Sequence, residues 1–246
     1  MNSGMYSALS GNLTAMRRME IITNNLANIN TLGYKKDKVS FESVLAGSVY
    51  PPVVPQSTTA DPILQRESIT IDYAPGMMNR TGNALDVAID GDGFFTVAGP
   101  EGPAYTRQGS FRMTSDGTLV TVDGFPVIGN DGKNIKVQGG TISIGVKGDV
   151  TVDGERVDTL KIVDFPKPYN LRKIGSALFM PEGSKTVPLV ATNAEVRSEY
   201  LEASNVDPIS EMVQLIDASR YFDSCQRVIL AFDGIANKAA NELGKL

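Results

Sequence analysis

From Leu215 an apolar or small residue returns every third or fourth position without a slip: Leu215, Ala218, Phe222, Cys225, Ile229, Phe232, Ala236, Ala239 and Leu243. Four heptads of a 3.5-residue repeat describe the a/d seam of a coiled coil, not the looser stripe of a surface helix. Asp207 offers an N-cap, Pro208 suits a first helical turn and Glu211 faces the positive end of the dipole, so the spacing predicts a helix over 208–243. At about 1.5 Å per residue it runs roughly 50 Å. A seam that long needs a partner of similar length.

The other end of the chain supplies one. Met5, Leu9, Asn12, Met16, Met19, Thr23 and Leu26 follow in alternating steps of four and three, with Leu13 and Ile22 widening the line, which predicts a helix over 4–29. Asn24, Asn25, Asn28 and Asn30 are poor interior helix formers, and with Gly33 beyond them they predict fraying into a capped turn. Pairing of the two terminal helices makes the middle of the chain an insertion. Both helices hold more apolar surface than one pairwise seam uses. Ile209, Met212, Val213, Ile216, Val228 and Ile235 lie off the line in the second helix, and Ile21 with the small residues Ala15 and Ala27 off it in the first. Surplus of this kind marks a further interface, here with other copies or other chains.

Function classes fall away on composition. A net charge of −5 argues against a nucleic-acid partner, and Lys35, Lys36 and Lys38 make only a short basic turn. The chain has no histidine, no tryptophan and one cysteine, which removes the usual general base, the usual metal ligands and any internal disulfide. Cys225, on the seam, reads as a small buried hydrophobe. No apolar run approaches the roughly 20 residues that span a bilayer. Residues 1–15 lack the basic and apolar regions of a cleaved signal peptide, and Arg17 and Arg18 come too late to supply them.

Between the helices, residues 34–78 read as an extended linker, with one amphipathic stretch (Val39, Phe41, Val44, Leu45), proline-stiffened runs at Val49-Tyr-Pro-Pro-Val-Val-Pro55 and Gln56–Pro62, and a strand candidate over Ser68–Tyr73. Residues 79–203 read as a central antiparallel β domain, either a sandwich or an irregular barrel. Short apolar runs at 85–89, 93–97, 119–122, 126–128, 135–137, 142–144, 150–152 and 160–165 alternate with hairpin signals at Asp116-Gly117, Asp123-Gly124, Asp131-Gly132 and Asp153-Gly154. The expected fold class is α+β: a helix over 1–33 and a helix over 204–246 paired as a coiled coil, with the β domain inserted. Asp90-Gly-Asp92-Gly93 invites a calcium reading, but Phe94 and Phe95 stand where a ligand and a glycine are needed. Gly91-x-Gly93 lacks the third glycine and the helix of a dinucleotide loop. Asp86, Asp90 and Asp92 read as turn formers. No cofactor, no metal and no enzymatic activity are expected.

Asn24-Asn-Leu-Ala-Asn28-Ile-Asn-Thr-Leu-Gly33-Tyr-Lys35 resembles the N-terminal signature of the bacterial flagellar rod and hook family. Leu85-Asp-Val-Ala-Ile-Asp-Gly91-Asp-Gly93-Phe94-Phe95, Tyr105-Thr-Arg107 and Leu119–Gly129 resemble its central β domain, and Leu201-Glu-Ala-Ser204-Asn205-Val206 its C-terminal signature. The resemblance implies Asn25, Leu26, Ala27, Asn28, Gly33, Gly91, Gly93, Phe94, Ser204 and Asn205 as family positions. It implies a structural subunit of the rod that crosses the periplasm, polymerising through its terminal helices and transmitting torque from motor to hook. Its partners would be other copies of itself, other rod subunits and the flagellar type III export apparatus, which exports without a cleaved signal peptide; no membrane insertion is implied. The interface expected from the seams comprises Leu9, Leu13, Met16, Leu26, Leu215, Phe222, Ile229 and Phe232. Chain length and Asp164-Phe-Pro166 resemble the proximal rod branch, with distal rod and hook-type subunits as the alternatives. A non-flagellar self-assembling coiled-coil protein would share the helices without the strings. A β-domain enzyme or carbohydrate binder would need a cleft.

Overall fold

The computed structural model describes residues 2–43, 65–137, 139–175, 177–183, 186–191 and 194–243. Two helices carry the ends: α1, Asn2–Ala27, and α2, Pro208–Leu243. The second begins where Asp207 and Pro208 announce it. The first continues through Asn24 and Asn25, where fraying was expected, and turns only at 28–30. The chain divides into two compact units, one drawn from 1–26, 36–72 and 208–246, the other from 27–35 and 73–207.

In the first unit α1 and α2 meet on small residues. A Cβ at Gly4 would stand 2.8 Å from the Phe232 ring, and one at Gly11 would stand 2.9 Å from the Tyr221 hydroxyl and 3.0 Å from Cys225 Sγ. Ala8, Ala15 and Ile22 on the same side of α1 are buried, as are Ala218 and Cys225 on α2. As α1 is followed forward its contacts run backward along α2, so the helices are antiparallel here. On α2 Leu215, Phe222, Ile229 and Phe232 are half-buried. On α1 the contacting line is offset by one residue from Met5, Leu9, Met16 and Leu26. Helix separation follows the size of the side chains at the contact, and glycine and alanine let the backbones close up where Leu and Met would hold them apart.

The same unit contains a hairpin. Strand Asp37–Ser43 pairs antiparallel with Gln65–Ile71, from Asp37↔Ile71 to Ser43↔Gln65. Paired strands therefore stand at both ends of the stretch whose composition suggested a linker, because each supplies the ladder the other lacks. Val44, Leu45 and the proline-rich runs 49–55 and 56–62 lie outside the described residues.

In the second unit the largest sheet has six antiparallel strands in the order Leu171–Ile174, Leu178–Pro181, Gly102–Thr106, Phe94–Gly99, Ile162–Asp164 and Leu189–Val190. Asp149–Val152 lies between Ile142–Ile144 and Glu155–Thr159 in a three-stranded sheet, and Phe111–Met113 pairs with Leu119–Thr121. Tight turns at Asp116-Gly117 and Asp153-Gly154 close two of these hairpins, at Met113↔Leu119 and Val152↔Glu155. The irregular-barrel alternative is corrected: the sheets are open. Closure needs a continuous staggered register. Here the large sheet ends on two edges that do not pair with each other, and the Asp-Gly turns cut the other strands into separate ladders. The core gathers Val87, Ile89, Phe95, Val97, Leu119, Ile135 and Val150, all at most 1% exposed.

Phe95 packs edge-on to Phe111 in this core, with ring centroids 5.3 Å apart. Phe95→Ala is expected to cost about 3–5 kcal/mol in chemical denaturation of the second unit. Val146→Ala, at an exposed site, should change it by less than about 0.5 kcal/mol.

Candidate functional site

A buried carboxylate organises each unit where the chain enters and leaves it. In the second unit it is Glu202, whose side chain is fully buried. Lys35 Nζ donates to its Oε1 at 2.5 Å and Gly76 N–H to the same oxygen at 2.9 Å, while Arg107 Nη1 donates to Oε2 at 3.3 Å. Lys35 also donates to the Ala74 carbonyl, and Gly33 N–H donates to the Glu202 carbonyl at 2.8 Å. Asn205 completes the knot: its N–H donates to the Tyr34 carbonyl at 3.3 Å and its side-chain amide to Ala74 at 3.1 Å. Segments 33–35, 74–76 and 202–205 are thus tied together. Gly33 has a φ of 66°, and a Cβ there would stand 2.5 Å from the Arg107 carbonyl carbon, so only glycine fits. Ser204 Oγ accepts from Val206 N–H and shapes the approach to the helix.

Arg107 carries the knot into the β core. Its Nη2 donates to the Gly91 carbonyl at 2.7 Å and its Nη1 to that of Ile89 at 3.2 Å, and the guanidinium lies 5.4 Å from the Phe94 ring centroid. Phe94 in turn centres an aromatic group of Tyr73, Phe165, Tyr169 and Phe179. Burial and a hydrogen bond to Asp164 push the Tyr169 phenol well above its ordinary range. The 90–93 turn is therefore held from inside by a cation. Its carboxylates face outward to separate partners: Asp90 pairs with Arg197, and Asp92 is held below the usual carboxylate range by a hydrogen bond from Lys167. Glu101 pairs with Arg172. Among the described residues no three His, Cys, Asp or Glu side chains stand together as a metal site requires.

In the first unit the buried carboxylate is Glu211, in the first turn of α2. Asn25, 1% exposed in α1, donates to Glu211 Oε2 at 3.3 Å and to the Asp37 carbonyl at 2.9 Å, and it accepts from Asp37 N–H at 3.0 Å. Lys36 stands 3.6 Å from the other Glu211 oxygen, and Lys38 pairs with Asp72 at 2.7 Å. Asn25 offers the first strand residue the donor and acceptor of a ladder neighbour. That is why an asparagine sits inside this helix.

The structure brings Gly33, Gly91, Phe94 and Asn205 into one neighbourhood of the second unit and places Asn25 in the first. Asn28 accepts from Thr31 in the turn after α1, Leu26 is half-buried and Ala27 exposed. Three of the residues expected at an interface on α1 stand open, with Leu9 46%, Leu13 61% and Met16 53% exposed. Ile209, Met212, Val213 and Ile216 on α2 are exposed as well. Sequence reasoning did not single out Lys35, Arg107, Glu202 and Glu211 as site residues. Their signal was a charge set inside an otherwise apolar or glycine-rich string. It also missed Gly4, Ala8 and Gly11, whose spacing of four and three is visible once small residues are counted as contact formers.

Comparison with known proteins gives three family matches. Residues 5–35 match "Flagella basal body rod protein", 88–152 "Flagellar hook protein FlgE/F/G D1 domain" and 197–243 "Flagellar basal body rod FlgEFG protein C-terminal". Among similar proteins is a flagellar basal-body rod protein FlgF of Rhizobium meliloti, 32% identical with 99% of each chain covered. Another is a FlgG of Bacillus subtilis, 34% identical over 96% of this chain and 97% of its own. A FlgF of Caulobacter vibrioides is 30% identical over the full length of both.

Removing one member of a buried ion cluster strands the others. Glu202→Leu leaves two buried cations and is expected to cost about 3–5 kcal/mol of second-unit stability. Lys35→Met leaves Glu202 paired with Arg107 and should cost less. Urea unfolding of the two variants checks the order.

Proposed function

The chain belongs to the family of flagellar basal-body rod proteins, and we propose that it works as a structural subunit of the rod, built into it through its terminal helices. It assembles with other rod components. The observation that carries the mode of assembly is the pair of exposed apolar faces on α1 and α2, in a chain that matches rod proteins from end to end. Apolar patches on this scale are unusual on a monomer's free surface and mark places where other chains pack. No helix among the described residues is long and apolar enough to cross a membrane.

In this reading copies of the chain pack on one another and on other rod subunits, and the helices complete a coiled coil only in the assembled rod. Leu9, Leu13, Met16, Leu26, Leu215, Phe222, Ile229 and Phe232 lose their remaining exposure together. The burial is shared, because helices draw most of their stability from packing an apolar face. The rod crosses the periplasm and carries torque from motor to hook. Export runs through the flagellar type III apparatus without cleavage of a signal peptide. Chain length and Asp164-Phe-Pro166 favour the proximal part of the rod over the distal part.

A strain lacking this chain should arrest with an incomplete rod and no hook in electron micrographs, and resupplying the chain should restore both. Growth of a full-length rod without it would sink the reading. Leu13→Asp and Ile229→Asp are expected to lower incorporation into isolated basal bodies at least tenfold. Second-unit unfolding of the purified variants should stay at the parent value.

A further inference from the structure

We propose that successive copies of the chain join through a heterologous helix contact. In it Leu9, Leu13 and Met16 of α1 pack antiparallel against Ile209, Met212 and Ile216 of α2 in the next copy. The proposal rests on the rod-subunit reading and names the surface that reading uses.

Each helix has two apolar faces, and the chain itself uses one. On α1 the inner face is Gly4, Ala8, Gly11, Ala15 and Ile22, turned to α2. At 3.6 residues per turn, Leu9, Leu13 and Met16 lie roughly 130° round the axis from it. On α2 the inner face is Ala218, Phe222, Cys225 and Ile229, and the second face, about as far round, is Ile209, Met212 and Ile216, respectively 70%, 49% and 54% exposed. The small inner residues of α1 bring the two backbones close, which leaves Leu9, Leu13 and Met16 on the outside of α1.

The outer faces match in spacing. Leu9, Leu13 and Met16 are separated by four and then three residues. Read backward, Ile216, Met212 and Ile209 are separated by four and then three. An antiparallel contact therefore has one register in which Leu9 meets Ile216, Leu13 meets Met212 and Met16 meets Ile209. A parallel contact matches only through Val213, as Leu9–Ile209, Leu13–Val213 and Met16–Ile216, so the spacing sets the register and the direction must come from elsewhere.

Polarity favours the same arrangement. The chain's own α1 and α2 run antiparallel at Gly4 and Gly11, so copies that keep one direction along a filament offer each other α1 and α2 antiparallel. The contact joins two different patches. An interface of this kind repeats without closing when successive copies are related by a screw, whereas a self-complementary patch closes into a dimer.

The test is disulfide formation in rods assembled in a strain lacking the native chain, with Cys225→Ser as parent. Oxidised Leu13→Cys/Met212→Cys should run as a ladder of covalent multimers, and either single variant as monomer. The mismatched pair Leu9→Cys/Ile209→Cys should give at least tenfold less ladder. Rods mixed from copies carrying Leu13→Cys alone and copies carrying Met212→Cys alone should give dimers only. A ladder of equal yield from the mismatched pair, dimers from a single variant, only an internally closed monomer, or rods with no cross-link would each overturn the contact. Rods from which the parent chain itself is absent would overturn the rod-subunit reading instead.

Discussion

Two buried glutamates set the constraint on which both units depend. A carboxylate taken from water is expensive to hold, and its attraction to a cation repays the cost only when geometry is good and the remaining lone pairs are used. Glu202 meets that condition with Lys35, Arg107 and the Gly76 amide, and Glu211 with Asn25 and Lys36. The chain passes between its units at 26–27, 35–36, 72–73 and 207–208, and each glutamate gathers the segments that begin or end there within its own unit. Apolar residues of equal volume would hold these segments together without specifying which pairs with which. Directed hydrogen bonds to one carboxylate select a single arrangement.

The strings behind the family resemblance follow from the same constraint. Gly33 lets the chain pass against the Arg107 backbone, Lys35 reaches Glu202, Arg107 reaches both Glu202 and the Gly91 carbonyl, and Asn205 spans Tyr34 and Ala74. Gly33, Lys35, Gly91, Arg107 and Asn205, far apart along the chain, are one cluster in space. The 90–93 turn resembles a calcium loop because acidic residues and glycine suit a tight turn. Its inward-facing carbonyl is filled by a guanidinium and its carboxylates by surface cations.

What could be read from the sequence was local. The bounds of α2 follow from a cap, a proline and an unbroken 3.5 repeat, and the hairpins at 116–117 and 153–154 from Asp-Gly pairs, since each signal acts within a few residues. What escaped depends on distant partners. Strand Gly102–Thr106 begins Gly-Pro and alternates weakly; its neighbours Phe94–Gly99 and Leu178–Pro181 make it a strand. Glu155–Thr159 is polar on both faces and is held by its hairpin with Asp149–Val152. Lys35 and Glu202 are 167 residues apart, a separation no local pattern reports. The one-residue offset of the α1 contact has a different origin. Counting hydrophobicity favours Leu and Met, whereas close helix approach favours Gly and Ala, and here the two scales choose adjacent faces.

That disagreement leaves α1 with a second apolar face beside the one it turns to α2. Had Leu9 and Met16 faced α2, the chain would have buried its largest side chains internally and left a small-residue face outside, with little apolar area to drive association. By spending glycine and alanine on the internal contact, α1 keeps the side chains with the most transferable surface for a partner, at about 25 cal/mol for each Å² removed from water. The polar groups tell the complementary story. Lys35, Glu202, Asn25, Glu211 and the two terminal nitrogens of Arg107 find partners within the chain, and Asp90, Asp92 and Glu101 each hold a cation. What these two helices hold out beyond the chain's own contacts is aliphatic surface, whose burial against another molecule is favourable.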